Sequence, residues 1–254
     1  MNEFLPREEL TLVSPWINSA GSLGFAPGSG WAVLFEQGAF VTNPISLRPR
    51  TTAEDRALIE YPGGYLLHTG VANPGISETI KRYAARWTRA TLPVWVHILA
   101  DTPENVRQMV QNLEELEGVS AIVLGLPPRV HGEQALSLVA AGSGERPLVV
   151  EIPLTSAAEG WIGRLAGLGV SALSLAAPRG AFPGKGGVIT GGHLIGPGLF
   201  PQVLAAVRTA RRSHLPLIAS AGVYSRTHGE VLLKAGAWAV ALDGVLWRGW
   251  DEES

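Results

Sequence analysis

The chain is expected to fold as a single (β/α)8 barrel, and three features of the sequence point there. Its 254 residues are about what one eight-stranded βα barrel needs. Short apolar runs alternate with helical patterns from one end to the other, and each run is too apolar to leave one face in water, as strands of a parallel sheet covered on both sides must be. The stretch Gly191–Gly244 shows the period twice: a glycine-rich loop, a helix, LPLIAS (215–220), a turn bearing Gly222, a second helix and AWAVAL (237–242). Strand ends rich in small residues, backed by helix N-termini, are where such a barrel holds a phosphate.

Taken in order, LTLVSPWINSAG (10–21) is a strand running into Ser19, Ala20 and Gly21, whose backbone is slim enough to lie against a flat ligand. A helix around 30–37 and the strand GAFVTN (38–43) follow. Residues 44–75 have neither a helical period nor a core-strand apolar run, and form a long excursion of the kind that serves as a lid or hairpin over a barrel mouth. Helices over 77–89, 103–117, 132–141 and 156–168 then alternate with strands over 93–100, 120–125, 147–153 and 171–176. With the last two strands these make eight. A doubly wound open sheet is the competing architecture, and eight strands in regular alternation favour closure.

Composition narrows the function. Net charge is −2, pI is about 6.3 and no basic block occurs, so neither nucleic acid nor an anionic membrane is an expected partner. There is no Cys, hence no disulfide, thiolate nucleophile or thiolate metal site. The first thirty residues do not read as a signal peptide, and no apolar stretch reaches ~18 residues. The expected location is the cytoplasm.

The runs INSAGSLGF, GAFVTNPISLRPR and YPGGYLLHTGVANPG, in this order, resemble the dihydroorotate dehydrogenases, whose sequences carry an AAG turn, a VTKT-like strand end and a GGMLNAIGLQNPG-like segment. GHLIGPGLFPQVLAAVR (192–208), PLIASAGVYS (216–225) and AGAWAVALDGVLW (235–247) are similar to that family's GGLSGPAIKP, PIIGVGGI and AGASAVQVGTAL segments. The resemblance covers residues 12 to 247 and is nearest to the class whose catalytic subunit pairs with an iron-sulfur flavoprotein. It implies flavin mononucleotide (FMN) as cofactor, an oxidoreductase of pyrimidine biosynthesis, and a homodimer or a flavoprotein partner subunit.

Residue by residue the resemblance also implies what has changed. The family's base is a Cys or Ser near an NxSCPN motif; here that segment is IVLGLPPRV (122–130), with Gly125 at the Asn position and no hydroxyl or thiol. The lysine after the second strand falls at Asn43, an Asn of the excursion at Leu67, the second lysine at Glu151 and a later Asn at Ala177. Dihydroorotate oxidation is therefore not expected of this chain. The alternative is a catalytically inactive relative that serves as a subunit or binds a small ligand with a phosphate or carboxylate. A phosphosugar-type barrel without flavin is a third reading.

For the cofactor, the resemblance assigns Ala20, Gly21, Thr42, Gly192, Gly196, Ala221, Gly222, Asp243 and Gly244 to the binding loops. Ala221 replaces a glycine and suits the cradle only at negative φ. Asp243 puts a carboxylate where a phosphate dianion would be repelled, with Gly244 restoring a small residue one place later. Asn43, His68 and Asn73 fall on the substrate and lid side. His97 and Glu151, on strands feeding the same mouth, form a candidate acid/base pair across neighbouring strands; the alternative is that Glu151 pairs with an arginine such as Arg179. His68, His97 and His193 fall toward one face, yet no HxH or HExxH spacing occurs and no metal is expected. Lys185, in FPGKGGVITGG (182–192), is either an anion cover or a plain loop lysine. Trp87, Trp161 and Trp238 read as core, and Trp247 and Trp250 as docking the C-terminus or contributing to a subunit contact.

Overall fold

The computed structural model describes residues 9–28 and 36–250, without the side chain of Lys185. The strands are β1 (Trp16–Asn18), β2 (Phe40–Val41), β3 (Ile45–Ser46), β4 (Ala57–Tyr61), β5 (Gly64–His68), β6 (Val94–Leu99), β7 (Ala121–Gly125), β8 (Leu148–Pro153), β9 (Ala172–Ala176), β10 (Arg179–Pro183), β11 (Ile189–Ile195), β12 (Leu217–Ser220) and β13 (Ala239–Leu242). The helices are α1 (Ile76–Thr88), α2 (Pro103–Glu114), α3 (Gly132–Ala141), α4 (Phe200–Ala210), α5 (Arg226–Ala235) and α6 (Val245–Arg248).

Eight parallel strands run in the order β1-β13-β12-β9-β8-β7-β6-β2, and the ring closes where β2 meets β1. The closing seam is short: one bridge joins Ile17 to Ala39, and Gly38 N–H donates to Trp16 O at 2.7 Å. A side chain completes it. The fully buried Asn18 accepts from Val41 N–H at 2.8 Å and donates to Val41 O at 2.7 Å, doing for two strands what a further peptide unit would do. The architecture is the (β/α)8 barrel that the alternating runs imply.

Because successive strand residues point to opposite faces, every second residue enters the barrel. Ala39, Val41, Ile17, Trp95, Ala121, Val123, Val149, Ala172, Ile218, Ala239 and Ala241 form that inner core, with Trp238 stacked on Trp95 at 6.4 Å from below. The outer core lies between barrel and helices and includes Trp87 and Trp161. Helix boundaries follow their caps: Thr102 Oγ1 accepts from Asn105 N–H ahead of α2, whose first residue is Pro103, while Ser225 accepts from His228 N–H at the start of α5 and Gly236, at φ 114°, ends it.

Two expectations need correction. Residues 154–168 are three 3-10 turns broken by the extended Glu159, not one helix, because Gly160, Gly163 and Gly167 weaken an α-helix by about 1 kcal/mol each. The glycine-rich stretch 179–195 is no loop: β10 and β11 form a hairpin that continues through β5 to β4 as a four-stranded antiparallel sheet. Glycine hid it by breaking the alternation, and for a packing reason, since a Cβ on Gly192 would stand 2.6 Å from Leu67 O.

The helix expected around 30–37 falls for the most part outside the described residues, as does the acidic tail 251–254. Trp250 packs edge-on against Trp16 with ring centroids 5.7 Å apart, whereas Trp247 is 65% exposed. Among the described residues no helix is long and apolar enough to cross a membrane.

Candidate functional site at the barrel mouth

Where the strands end, the inward-facing positions turn from apolar to polar. Two residues beyond Ile17, Trp95, Val149, Ala172, Ile218 and Ala241 stand Ser19, His97, Glu151, Ser174, Ser220 and Asp243. Val123 is followed instead by Gly125, on the strand between those of His97 and Glu151. A recess of about 270 Å3, part of it open to solvent, lies within this rung and is lined by Ser19, Ala20, Glu151, Ser174 and Ser220 over Trp95 and Val149.

On one side of the mouth His97 Nε2 lies 3.4 Å from Glu151 Oε1. The two are not on neighbouring strands, since β7 runs between them. Gly125 makes the reach possible: a Cβ there would sit 2.7 Å from His97 Nε2, so the imidazole lies over a position that carries no side chain. Thr42 positions the histidine's strand, accepting His97 N–H at 3.0 Å and donating to Asn43 O at 3.0 Å. Burial alone raises the Glu151 carboxyl, but His97 and, further off, His193 outweigh it and hold the carboxyl below its ordinary value. His193 Nε2 is 2.8 Å from Arg179 Nη1, and burial beside that cation lowers the imidazole's pKa. Arg179 thus engages His193, and Glu151 is paired with His97. Neither ring nitrogen of His97 has an aligned hydrogen-bond partner, and Ser19 Oγ and Trp95 Nε1 in the same interior are likewise buried without one. Such orphaned groups mark where a ligand or ordered water belongs.

On the other side three loops meet. Gly222, at φ 74°, packs its α-carbon against the start of α4, where a Cβ would stand 2.6 Å from Phe200 N. Gly198 N–H donates to Gly63 O at 3.3 Å, from the turn of the β4–β5 hairpin. Asp243 Oδ1 accepts Gly244 N–H at 2.5 Å, and a Cβ on Gly244 would lie 2.6 Å from the Tyr224 hydroxyl. Burial pushes the Asp243 carboxyl up to about 6, against the lowering effect of the Gly244 amide and its own. The same carboxylate, after burial, raises the Tyr65 and Tyr224 phenols. Ala221 adopts φ 79°, so the turn is left-handed at an alanine, contrary to the negative φ that a tolerable cradle called for.

A phosphate dianion does not fit this corner as it stands. Two of its amides, those of Gly198 and Gly244, already face the Gly63 carbonyl and the Asp243 carboxylate. The room actually enclosed in the recess is about 10 Å3, enough for about one water and far below the ~300–1,000 Å3 usual for small-molecule sites. Glu151, at the position that the family resemblance gives to a lysine, presents an anion where a cation would stabilise a reduced flavin ring.

Other expected site residues are placed elsewhere. Asn43 clamps the loop after β1, accepting Gly24 N–H at 3.0 Å, with Ala20 and the left-handed Gly21 in the loop it holds. Asn73 is buried, accepts from Ser46 N–H and Gly75 N–H and donates to Val71 O, tying β3 to the entry of α1. His68 meets Asp55 at 3.1 Å within the hairpin, so only two of the three histidines converge. Gly192 lies in β11, four residues up an extended strand from Gly196. Among the described residues no group of three His, Asp or Glu side chains could hold a metal ion. Ser174, Ser220, Tyr65 and Tyr224 were not among the expected site residues; the serines carry a signal in the sequence, as polar residues at the inward period of otherwise apolar strands.

No protein-family profile matches the chain. Two curated proteins similar to it are the catalytic subunit of dihydroorotate dehydrogenase B (NAD(+)) of Pelobacter propionicus, 29% identical over 91% of this chain and 83% of that protein, and its counterpart in Desulforamulus reducens, 27% identical over 92% and 84%. Among solved structures, the dihydroorotate dehydrogenase of Eimeria tenella in complex with ferulenol superposes with a TM-score of 0.73 over 94% of this chain and 78% of that one, at 16% identity, a likeness of fold. Over nine-tenths of its length the chain is thus similar in sequence to dihydroorotate dehydrogenase B catalytic subunits, and it shares the barrel fold of a dihydroorotate dehydrogenase.

Proposed function

We propose that this dihydroorotate dehydrogenase-like barrel does not oxidise dihydroorotate and that its mouth, between His97, Glu151 and His193, binds a small polar molecule. The observation that carries the reading is the Asp243 carboxylate on the Gly244 amide, in the corner where an FMN phosphate would have to sit. Glu151 supports it from the opposite side. An ionised carboxylate next to an imidazole can take a proton from a bound molecule and return it, the chemistry of general acid–base catalysis. In this reading Glu151 is the base, His97 sets its charge, and Ser174 and Ser220 offer hydroxyls from the same rung. The sheet β10-β11-β5-β4 acts as the lid, because its Gly63 and His193 reach the strand ends. The partner is a small molecule in the cytoplasm, with no nucleic acid or membrane.

Purified protein should be colourless, should gain neither colour nor melting temperature from added FMN, and should leave dihydroorotate unoxidised in the presence of an artificial electron acceptor. A yellow protein bleached by dihydroorotate would overturn the reading. A second reading, an FMN-dependent oxidoreductase working with a flavoprotein subunit, is favoured by the consecutive left-handed Ala221 and Gly222 and the small Gly196, since backbone amides are what hold phosphates. It agrees with relatives named as catalytic subunits, and it requires Asp243 to leave the Gly244 amide.

A further inference from the structure

We infer that Asp243 is the residue that closes this barrel to phosphorylated ligands: its carboxylate takes the place on the Gly244 amide that a ligand's phosphate oxygen would take. The inference deepens the reading above and rests on its placement of the corner. Three observations converge. Asp243 is buried, 9% exposed, and its Oδ1 is aimed at Gly244 N–H at 2.5 Å rather than at solvent. The two neighbouring loops are drawn in around it, Gly222 against the backbone of Phe200 and Gly198 N–H onto Gly63 O, so the corner is built closed. Tyr65 from the lid and Tyr224 from the loop after β12 both feel its charge, which places the carboxylate where lid and barrel meet. A helix or turn amide that would attract an external anion is thus answered from within the chain.

The selected consequence is discrimination. The barrel keeps the small residues of an anion-binding corner and rejects dianions through one like charge, leaving Glu151 and His97 to choose among ligands that carry no phosphate. Repulsion of this kind specifies against the wrong ligand without adding a contact to the right one.

The test compares sulfate and FMN binding by calorimetry and thermal shift in the unaltered protein, Asp243→Asn, Asp243→Gly and Glu151→Gln. Asp243→Asn keeps volume and an oxygen for Gly244 N–H; Asp243→Gly opens the space. Sulfate should bind Asp243→Gly, which loses both the like charge and the oxygen on the Gly244 amide, roughly a hundredfold more tightly than the unaltered protein, and Asp243→Asn, which loses only the charge, roughly tenfold more tightly. Glu151→Gln removes the same charge from the other side of the mouth and should change sulfate binding by less than about threefold. Equal gains from Glu151→Gln and Asp243→Asn would replace the local explanation with a general field and overturn the inference, as would folded Asp243 variants that bind sulfate no better than the unaltered protein. A measurement without variants guards against misfolding: the Gly244 amide resonance of the unaltered protein should not move on adding sulfate at neutral pH, and movement would also overturn it. Failure of the functional reading looks different: dihydroorotate oxidised by the unaltered protein with an artificial electron acceptor, whereas a phosphate-bearing ligand bound by the unaltered protein, FMN included, counts against Asp243 as the closing group.

Discussion

Glu151 and Asp243 occupy the same polar rung of one barrel, yet their carboxyls are shifted in opposite directions. Glu151 lies beside His97 and stays below its ordinary value despite burial, while Asp243 is held by amide dipoles and is pushed up to about 6. The difference teaches that burial is decided by partners: an imidazole within 3.4 Å compensates a carboxylate, and the amides of Gly244 and Asp243 itself do not. The stability consequences have opposite signs. For Glu151, a depressed carboxyl, the contribution is present above the unfolded value and is lost as pH falls through the folded one. For Asp243, the native state keeps a proton that the unfolded chain releases near 3.8, so stability declines as pH rises from there to about 6 and stays lower above.

Removing the Asp243 charge should break the contrast with the largest effect. Raising a carboxyl from 3.8 to about 6 corresponds to about 3 kcal/mol. Asp243→Asn still offers an oxygen to Gly244 N–H, so urea unfolding at pH 8 should show a gain approaching about 3 kcal/mol that fades to nothing by about pH 4. A gain independent of pH, or a loss at pH 8, would mean that the aspartate's burial is compensated by contacts of its own.

The Glu151 side of the comparison is sharpened by Gly125→Ala. The added methyl would meet His97 Nε2 and Leu99 Cδ2, each at 2.7 Å, both on β6. Overpacking of this kind costs about 1–3 kcal/mol. The more informative result is electrostatic: with the imidazole displaced, the Glu151 carboxyl should titrate higher, read from its side-chain carbon shifts. An unmoved titration in a destabilised variant would show that His97 is not what holds Glu151 down.

The fold was legible because the barrel's inner and outer cores impose a repeated pattern of apolar runs, so PVWVHILA, SAIVLG and PLVVEIP announce β6, β7 and β8 within a residue or two. The site was legible in part. His97 and Glu151 could be paired from their place at strand ends, but not the role of Gly125, since a missing side chain leaves no local signal. Asn43 and Asn73 were assigned to a ligand by resemblance, and the structure spends them on Gly24 and on Ser46 and Gly75, because a buried amide is taken by the nearest orphan backbone group. The hairpin of β10 and β11 stayed hidden since its glycines serve close packing between strands, which only the assembled sheet reveals.

Ala221 stands where only a negative φ would suit an alanine and adopts a positive one, and its replacement by glycine is the smallest effect expected. At φ 79° an alanine is held in a conformation that costs a non-glycine residue roughly 1–2 kcal/mol, which Ala221→Gly would relieve. Against that, glycine adds about 0.5–1 kcal/mol of backbone freedom to the unfolded chain. Ala221 is also buried, 1% exposed, and burying its methyl group contributes about 0.8 kcal/mol that the variant forfeits. The three effects nearly cancel, so Ala221→Gly should lie within about 0.5 kcal/mol of the unaltered protein in urea unfolding, with phosphate affinity unchanged while Asp243 is present. A gain above about 1 kcal/mol would show that the methyl packs against nothing of value and that the turn carries strain; an equal loss would show that alanine's methyl, more than its backbone, holds the corner shut.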